Sequence, residues 1–141
     1  MKGQKKLRED VFWWMETALE DYESARILYK EKRYSKSIHI MHNAVEKMLK
    51  AAMLSLRMEI PRGRTEHILT HLYQKIKMKY KLQEDLEEAL RDLSPLYMPT
   101  EYPDSAFGVP YKIYGKEYAV KYIDKVGEIL KCFESYMLKK K

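Results

Sequence analysis

An all-α, up-and-down bundle of four to five helices is the fold this sequence predicts, and three observations predict it. Apolar residues recur at steps of three and four through most of the chain, the period at which side chains share one helix face. Helix breakers are scarce: five Gly and five Pro in 141 residues, with three of the prolines confined to Pro99–Pro110. No stretch alternates apolar and polar residues as a half-buried strand would, and no internal repeat is present. At this length a single domain, residues 1–141, can bury a sizeable core.

The first helix is expected over about Glu9–Lys30, where Leu7, Val11, Trp14, Ala18, Tyr22, Ala25 and Leu28 make a seam and Trp13 and Met15 lie off it. Glu31–Ser35 is a short polar connection, so the next helix returns antiparallel. That helix, Ser37–Leu56, is the most apolar in the chain. Ile38, Met41, Val45, Met48, Ala52 and Leu56 form one stripe, and Ala44, Leu49, Ala51 and Met53 widen it, as expected of a rod with neighbours on several sides. Its polar residues recur too: His39, Asn43, Glu46 and Lys50, flanked by His42 and Lys47, run as one narrow strip that is expected to stay open to a groove.

Pro61 and Gly63 end the central helix within Arg57–Arg64. Thr65 is the expected N-cap of a third helix carrying Ile68, Leu69, Leu72, Tyr73 and Ile76. A fourth carries Leu82, Leu86, Ala89, Leu90, Leu93 and Leu96, with Glu84 and Asp85 in its first turn. Periodicity then vanishes from Tyr97 to Gly115, a loop long for a compact domain. Its aromatics argue for order, and Tyr102, Phe107 and Tyr111 are expected to tuck onto the helices. The last helix, about Glu117–Lys139, has the cleanest pattern, from Ala119, Tyr122 and Ile123 to Phe133 and Met137.

Composition narrows the function. The formal net charge is +6 and favours an anionic partner such as RNA, nucleotide phosphate or an acidic protein, although Lys2, Lys5, Lys6 and Lys139–Lys141 supply much of the excess. No apolar run reaches bilayer length and the N-terminus lacks a signal-peptide core, so a cytoplasmic, membrane-free protein is expected. Cys132 is the only cysteine. Asn43 is the sole Asn amid abundant Lys and Glu, a thermophile pattern. No phosphate-binding glycine loop, serine triad or zinc spacing is present. His39, His42 and Glu46 share one helix, which supplies too few ligands for a metal, so neither metal nor cofactor is expected.

Three passages together resemble the HEPN domain family, small helical domains often encoded beside a minimal nucleotidyltransferase. WWMETALEDYESA, Trp13–Ala25, is similar to the family's first helix. HNAVEKMLKAAM, His42–Met53, resembles its glutamine-rich QQAxEKxLKA helix, with His42 and Asn43 where glutamines are usual. TEHILTHL and, after a gap, PLYMPTEYPDSAFG are similar to its H-S-L helix start and TRYPD loop. The match runs through nearly the whole chain in order. The resemblance implies a homodimer with a groove that takes nucleotide or RNA. His42, Asn43, Glu46, Lys47, Lys50, Arg62, Arg64, Tyr102 and Asp104 are the candidate binding residues.

Many members of that family are toxins that cut RNA without metal, using an Arg and a His four to six residues apart. Arg62 and His67 have that spacing here and are the candidate catalytic pair. An arginine can grip a phosphate bidentately, and a histidine titrating near neutrality can move the proton of a ribose 2′-hydroxyl. The chain departs from the pattern at Gly63, where Asn is common, and at Glu101, where the loop usually has an arginine; an anion there repels phosphate. Both departures weigh toward binding rather than cleavage. The leading expectation is thus a nucleotide- or RNA-binding protein that works with a nucleotidyltransferase in a toxin–antitoxin type pair. A metal-independent ribonuclease and a structural adaptor holding a partner helix are the alternatives.

Overall fold

In the computed structural model, which describes residues 7–139, two 22-residue helices lie against each other along their length. They are α1 (Glu9–Lys30) and α2 (Tyr34–Ser55), and a turn at residues 31–33 joins them. Lys2, Lys5, Lys6, Lys140 and Lys141 lie outside the described residues. Glu9 and Asp10 complement the dipole at the start of α1, and Lys30 does so at its end.

Both helices stop in the same way. At the end of α1, Arg33 N–H reaches Leu28 O at 2.8 Å and Lys32 N–H reaches Tyr29 O at 3.0 Å. At the end of α2, Met58 N–H reaches Met53 O and Arg57 N–H reaches Leu54 O, both at 2.9 Å. This is the Schellman pattern, which needs one left-handed residue and usually recruits glycine. Here the posts are held by Lys32 at φ 64° and Arg57 at φ 63°.

α2 is the central rod: fifteen of its 22 residues are buried, and it packs on α1, α7 (Lys116–Leu138) and α3 (Leu69–Ile76). α4 (Glu84–Leu93) lies against α7 and α3 and runs into a 3₁₀ turn at Ser94–Leu96. With α1, these make a five-helix bundle and no strand occurs among the described residues, as the periodicity predicts. No helix is long and apolar enough to cross a membrane among them.

Met15, off the predicted seam, is buried, because α1 packs on α7 as well as α2 and its covered face is wider than one stripe. Two local expectations are corrected. Thr65 does not cap α3. Residues 65–67 form a turn closed by Ile68 N–H to Thr65 O at 3.2 Å, and Ile68 takes the cap position without a side-chain bond. That turn carries Glu66 and His67 toward α2, where each finds a charged partner.

The Tyr97–Gly115 segment is ordered, yet not by the aromatics expected to order it. Phe107 is 95% exposed, Tyr111 70% and Tyr102 46%. Pro103 and Pro110 instead open two single-turn helices, α5 (Pro103–Ala106) and α6 (Pro110–Ile113), that satisfy much of the backbone locally. Tyr114 packs on the core, Thr100 is buried with its hydroxyl donated to Leu96 O, and Tyr97 turns inward.

Candidate functional site

The polar strip of α2 is covered rather than open. Glu46 is 6% exposed and Lys50 4%, while His42 is fully buried. The strip lies beneath His67, from the link before α3, and Tyr97, which follows the 3₁₀ turn. Enclosure follows from the helix itself: with apolar residues on most faces of α2, its polar edge is drawn inside, where each charge needs a partner.

Glu46 is the hub. Its Oε2 accepts from Lys50 Nζ at 2.7 Å, and its two oxygens stand 3.0 and 3.1 Å from Nδ1 of His67. Lys50 also lies 3.7 Å from Glu66 Oε1, with its ammonium 5.5 Å from the centre of the Trp14 ring. Two buried charges are tolerable only in such company, since desolvation costs several kcal/mol per ion. Because the Glu46 carboxylate accepts, Nδ1 of His67 is the donor, which in the neutral imidazole leaves the lone pair on Nε2. The His67 side chain is 41% exposed, so its ring is held at one edge and accessible elsewhere. A carboxylate that fixes the tautomer of an accessible imidazole is an arrangement able to accept a proton from a hydroxyl.

Tyr97 is gripped by three imidazoles. Its ring stacks on His67 at 4.4 Å and on His39 at 4.9 Å, and tilts against His42 at 5.1 Å. His39 Nδ1 donates to Tyr97 O at 2.8 Å, and His42 Nε2 donates to Ser94 O at 3.2 Å. Burial pushes the His42 imidazole down to about 3, lowers His39 as well, and raises the Tyr97 phenol. Nδ1 of His42 has no hydrogen-bond partner and lies 3.9 Å from Glu46 Oε1, one acceptor facing another. Among the described residues no group of three or more His, Cys, Asp or Glu is placed to hold a metal ion.

The other candidates are dispersed. Lys47 is taken by Asp21 of α1 at 2.7 Å, and Asn43 sits half-buried on α2. Arg62 and Arg64 are exposed in the link between α2 and α3. Arg62 lines an open cleft with Trp14 and Arg57, and no hydrogen bond joins it to His67 among the described residues; the chemical pair is five residues apart in sequence but faces two places. Tyr102 is the residue before α5, and Asp104 accepts the Ser105 N–H at 3.0 Å, neither bonded to the imidazole cluster. Sequence reading missed Tyr97, Glu66, Trp14 and Arg57. Tyr97 lies 30 and 58 residues from the histidines it stacks on, so no local pattern could reveal the contact.

Comparison with known proteins bears on this arrangement. A family model described as HEPN domain matches residues 11–136. The chain is 28% identical to the protein named Putative toxin MJ1304 of Methanocaldococcus jannaschii, over 89% of this chain and 90% of that one. Its fold is similar to the crystal structure of TT1696 from Thermus thermophilus, with a TM-score of 0.79, 25% identity, and coverage of 92% of this chain and 99% of that one. It is also similar to ST0689, described as an archaeal HEPN homologue, with a TM-score of 0.70, 25% identity, and coverage of 90% and 97%.

Proposed function

The chain belongs to the HEPN domain family, and on that footing we propose that it is a toxin-type member that binds nucleotide or RNA, as a homodimer, and acts with a separate nucleotidyltransferase. One observation carries the reading. His67, its Nδ1 held by buried Glu46, stands at the end of a link whose Arg57, Arg62 and Arg64 are all exposed, so one short link carries both an accessible imidazole and three solvent-facing guanidiniums. Guanidiniums of this kind position phosphates. The toxin named among the relatives supports the biological class. A second copy of the chain would cover Phe12 and Trp13, the latter 60% exposed on the outer side of α1.

The test is a salt titration of binding to a labelled single-stranded RNA. Phosphate contacts release counterions, so affinity should fall steeply as salt rises, and Arg62→Gln with Arg64→Gln should flatten that slope. Absence of binding, or binding indifferent to salt, would remove the reading. Size measurement of the protein alone and co-expressed with a neighbouring nucleotidyltransferase tests the assembly.

The Glu46–His67 contact favours a second reading, a metal-independent ribonuclease in which Nε2 of His67 takes the proton of a ribose 2′-hydroxyl and Arg62, which in this structure lines a separate cleft, turns to hold the phosphate. RNA incubated in chelator should then be cut by the parent protein and left intact by His67→Ala. Equal cleavage by both proteins excludes His67 as the base.

A further inference from the structure

The cleft that Arg62 lines, about 580 Å³, opens between the start of α1 and the turn that follows α2. Its volume falls within the ~300–1,000 Å³ of small-ligand sites. The lining has two characters. Trp14, Leu54, Met58 and Ile60 give it apolar walls, and the guanidiniums of Arg8, Arg57 and Arg62 stand among them. Arg8 is committed to Asp10, with contacts of 2.6 and 3.1 Å. Arg57 and Arg62 make no ion pair among the described residues. Two guanidiniums are therefore available beside an indole, over which Lys50 stands at 5.5 Å.

We propose that this cleft takes a terminal phosphate monoester together with its adjoining base, the 5′ end of an RNA strand or a free nucleoside monophosphate, with the phosphate between Arg57 and Arg62 and the base against Trp14. The proposal rests on the nucleotide- or RNA-binding reading and says which part of such a ligand is recognised. Charge selects the end over the middle of a strand. A monoester carries about −1.5 to −2 near neutral pH, matching two guanidiniums, whereas each internal phosphodiester carries one charge. Glu59 also lines the cleft, Asp10 being paired with Arg8, and its carboxylate opposes the continued run of phosphates that an internal segment would bring. A flat base is suited to the aromatic and apolar walls, since stacking on indole tolerates any base. Arg57 strengthens the case: a bulky cation occupies a left-handed position, φ 63°, at which glycine would be unstrained.

The chain has two tryptophans, so Trp13→Phe leaves Trp14 as the sole indole reporter. Into this protein one titrates AMP, adenosine, and two short RNAs identical except for a 5′-phosphate or a 5′-hydroxyl. The 5′-phosphorylated RNA and AMP should quench Trp14 emission saturably, with the 5′-hydroxyl RNA and adenosine weaker by about tenfold or more. Arg57→Gly, which relieves the backbone, should melt no lower than its parent and yet lose the 5′-phosphate preference. Tighter binding of the phosphorylated RNA than of AMP identifies the strand end as the ligand, and equal binding identifies the free nucleotide. Equal affinity for the two RNAs, or a preference that survives Arg57→Gly, overturns the proposal. If RNA still binds with a steep salt slope in that case, the broader reading stands without this cleft; if no RNA or nucleotide binds at all, both fall.

Discussion

The His67 imidazole lies flat on the Tyr97 ring, centroids 4.4 Å apart and planes 13° apart. The same ring stacks on His39 at 4.9 Å, so one side chain ties the α2–α3 link and the segment after α4 to the central helix. Tyr97→Phe preserves the stacks and is expected to change stability by no more than about 0.5 kcal/mol. Tyr97→Ala removes them, each worth roughly 0.5–1.5 kcal/mol beyond burial, for a total loss of about 2–3 kcal/mol in urea unfolding. A loss as large in the Phe variant would mean that the hydroxyl, not the ring, does the holding.

Glu46 and Lys50 are buried, in contact at 2.7 Å. Removing one partner strands the other, and Glu46→Met or Lys50→Met alone should cost about 3–5 kcal/mol. Replacing both with Met should recover most of that loss, because two apolar side chains leave no charge unpaired. Denaturant midpoints of the two single variants and the double variant measure the coupling. Simple additivity would show that the pair is not a unit.

His42 sets a pH dependence. Its folded-state value, about 3, lies below the ordinary 6.5, so above pH 6.5 it is neutral in both states and its contribution is complete. As pH falls through 6.5 the unfolded chain gains a proton that the folded chain refuses. Stability therefore declines on acidification down to about pH 3, with a slope of at most about 1.4 kcal/mol per pH unit from this group. His39, also lowered by burial, acts in the same direction. Asp85 and Glu87 are lowered by Lys125 and Tyr73 respectively and lose their contribution only as pH drops through the carboxylate range, so the interval from 6.5 to about 5 isolates the histidines. Urea unfolding across that interval should show the decline, and His42→Gln, still able to donate to Ser94 O, should flatten it. A parent protein of constant stability there contradicts the burial account.

Gly127 of α7 makes room for Tyr22 of α1. The Tyr22 hydroxyl donates to Ile123 O at 2.8 Å, and a Cβ on residue 127 would stand 2.5 Å from the Tyr22 hydroxyl oxygen. Gly127→Ala gains about 1 kcal/mol of helix propensity but must displace the phenol, an overpacking cost of roughly 1–3 kcal/mol plus the lost hydrogen bond. The net expectation in thermal unfolding is a lower Tm. Adding Tyr22→Phe should recover part of it, and failure to do so would place the clash elsewhere.

Much of this molecule was legible in the amino-acid order because its determinants are local. The stripe Ile38, Met41, Val45 and Met48 repeats at the period of the helix it builds, and burying it needs only some neighbour, not a particular one. Pro61 and the Pro95–Pro110 cluster likewise punctuate the chain by their own covalent geometry. Even the link between Glu46 and Lys50 follows from a four-residue step on one helix.

Other features were decided only when distant segments met. Whether the His42, Glu46, Lys50 strip faced water or the interior depended on what crosses it. His67 comes from 21 positions beyond Glu46, and Tyr97 from 55 beyond His42, to do so. The separation of Arg62 from His67, and the meeting of Arg57 with Trp14, turn on how residues 57–67 leave α2, which a left-handed Arg57 and an uncapped turn direct. Periodicity is written in the amino-acid order because helical hydrogen bonds join residues four apart. Apposition of side chains tens of residues apart depends on the packing of whole helices, and it is there that charge, stacking and access at the candidate site are set.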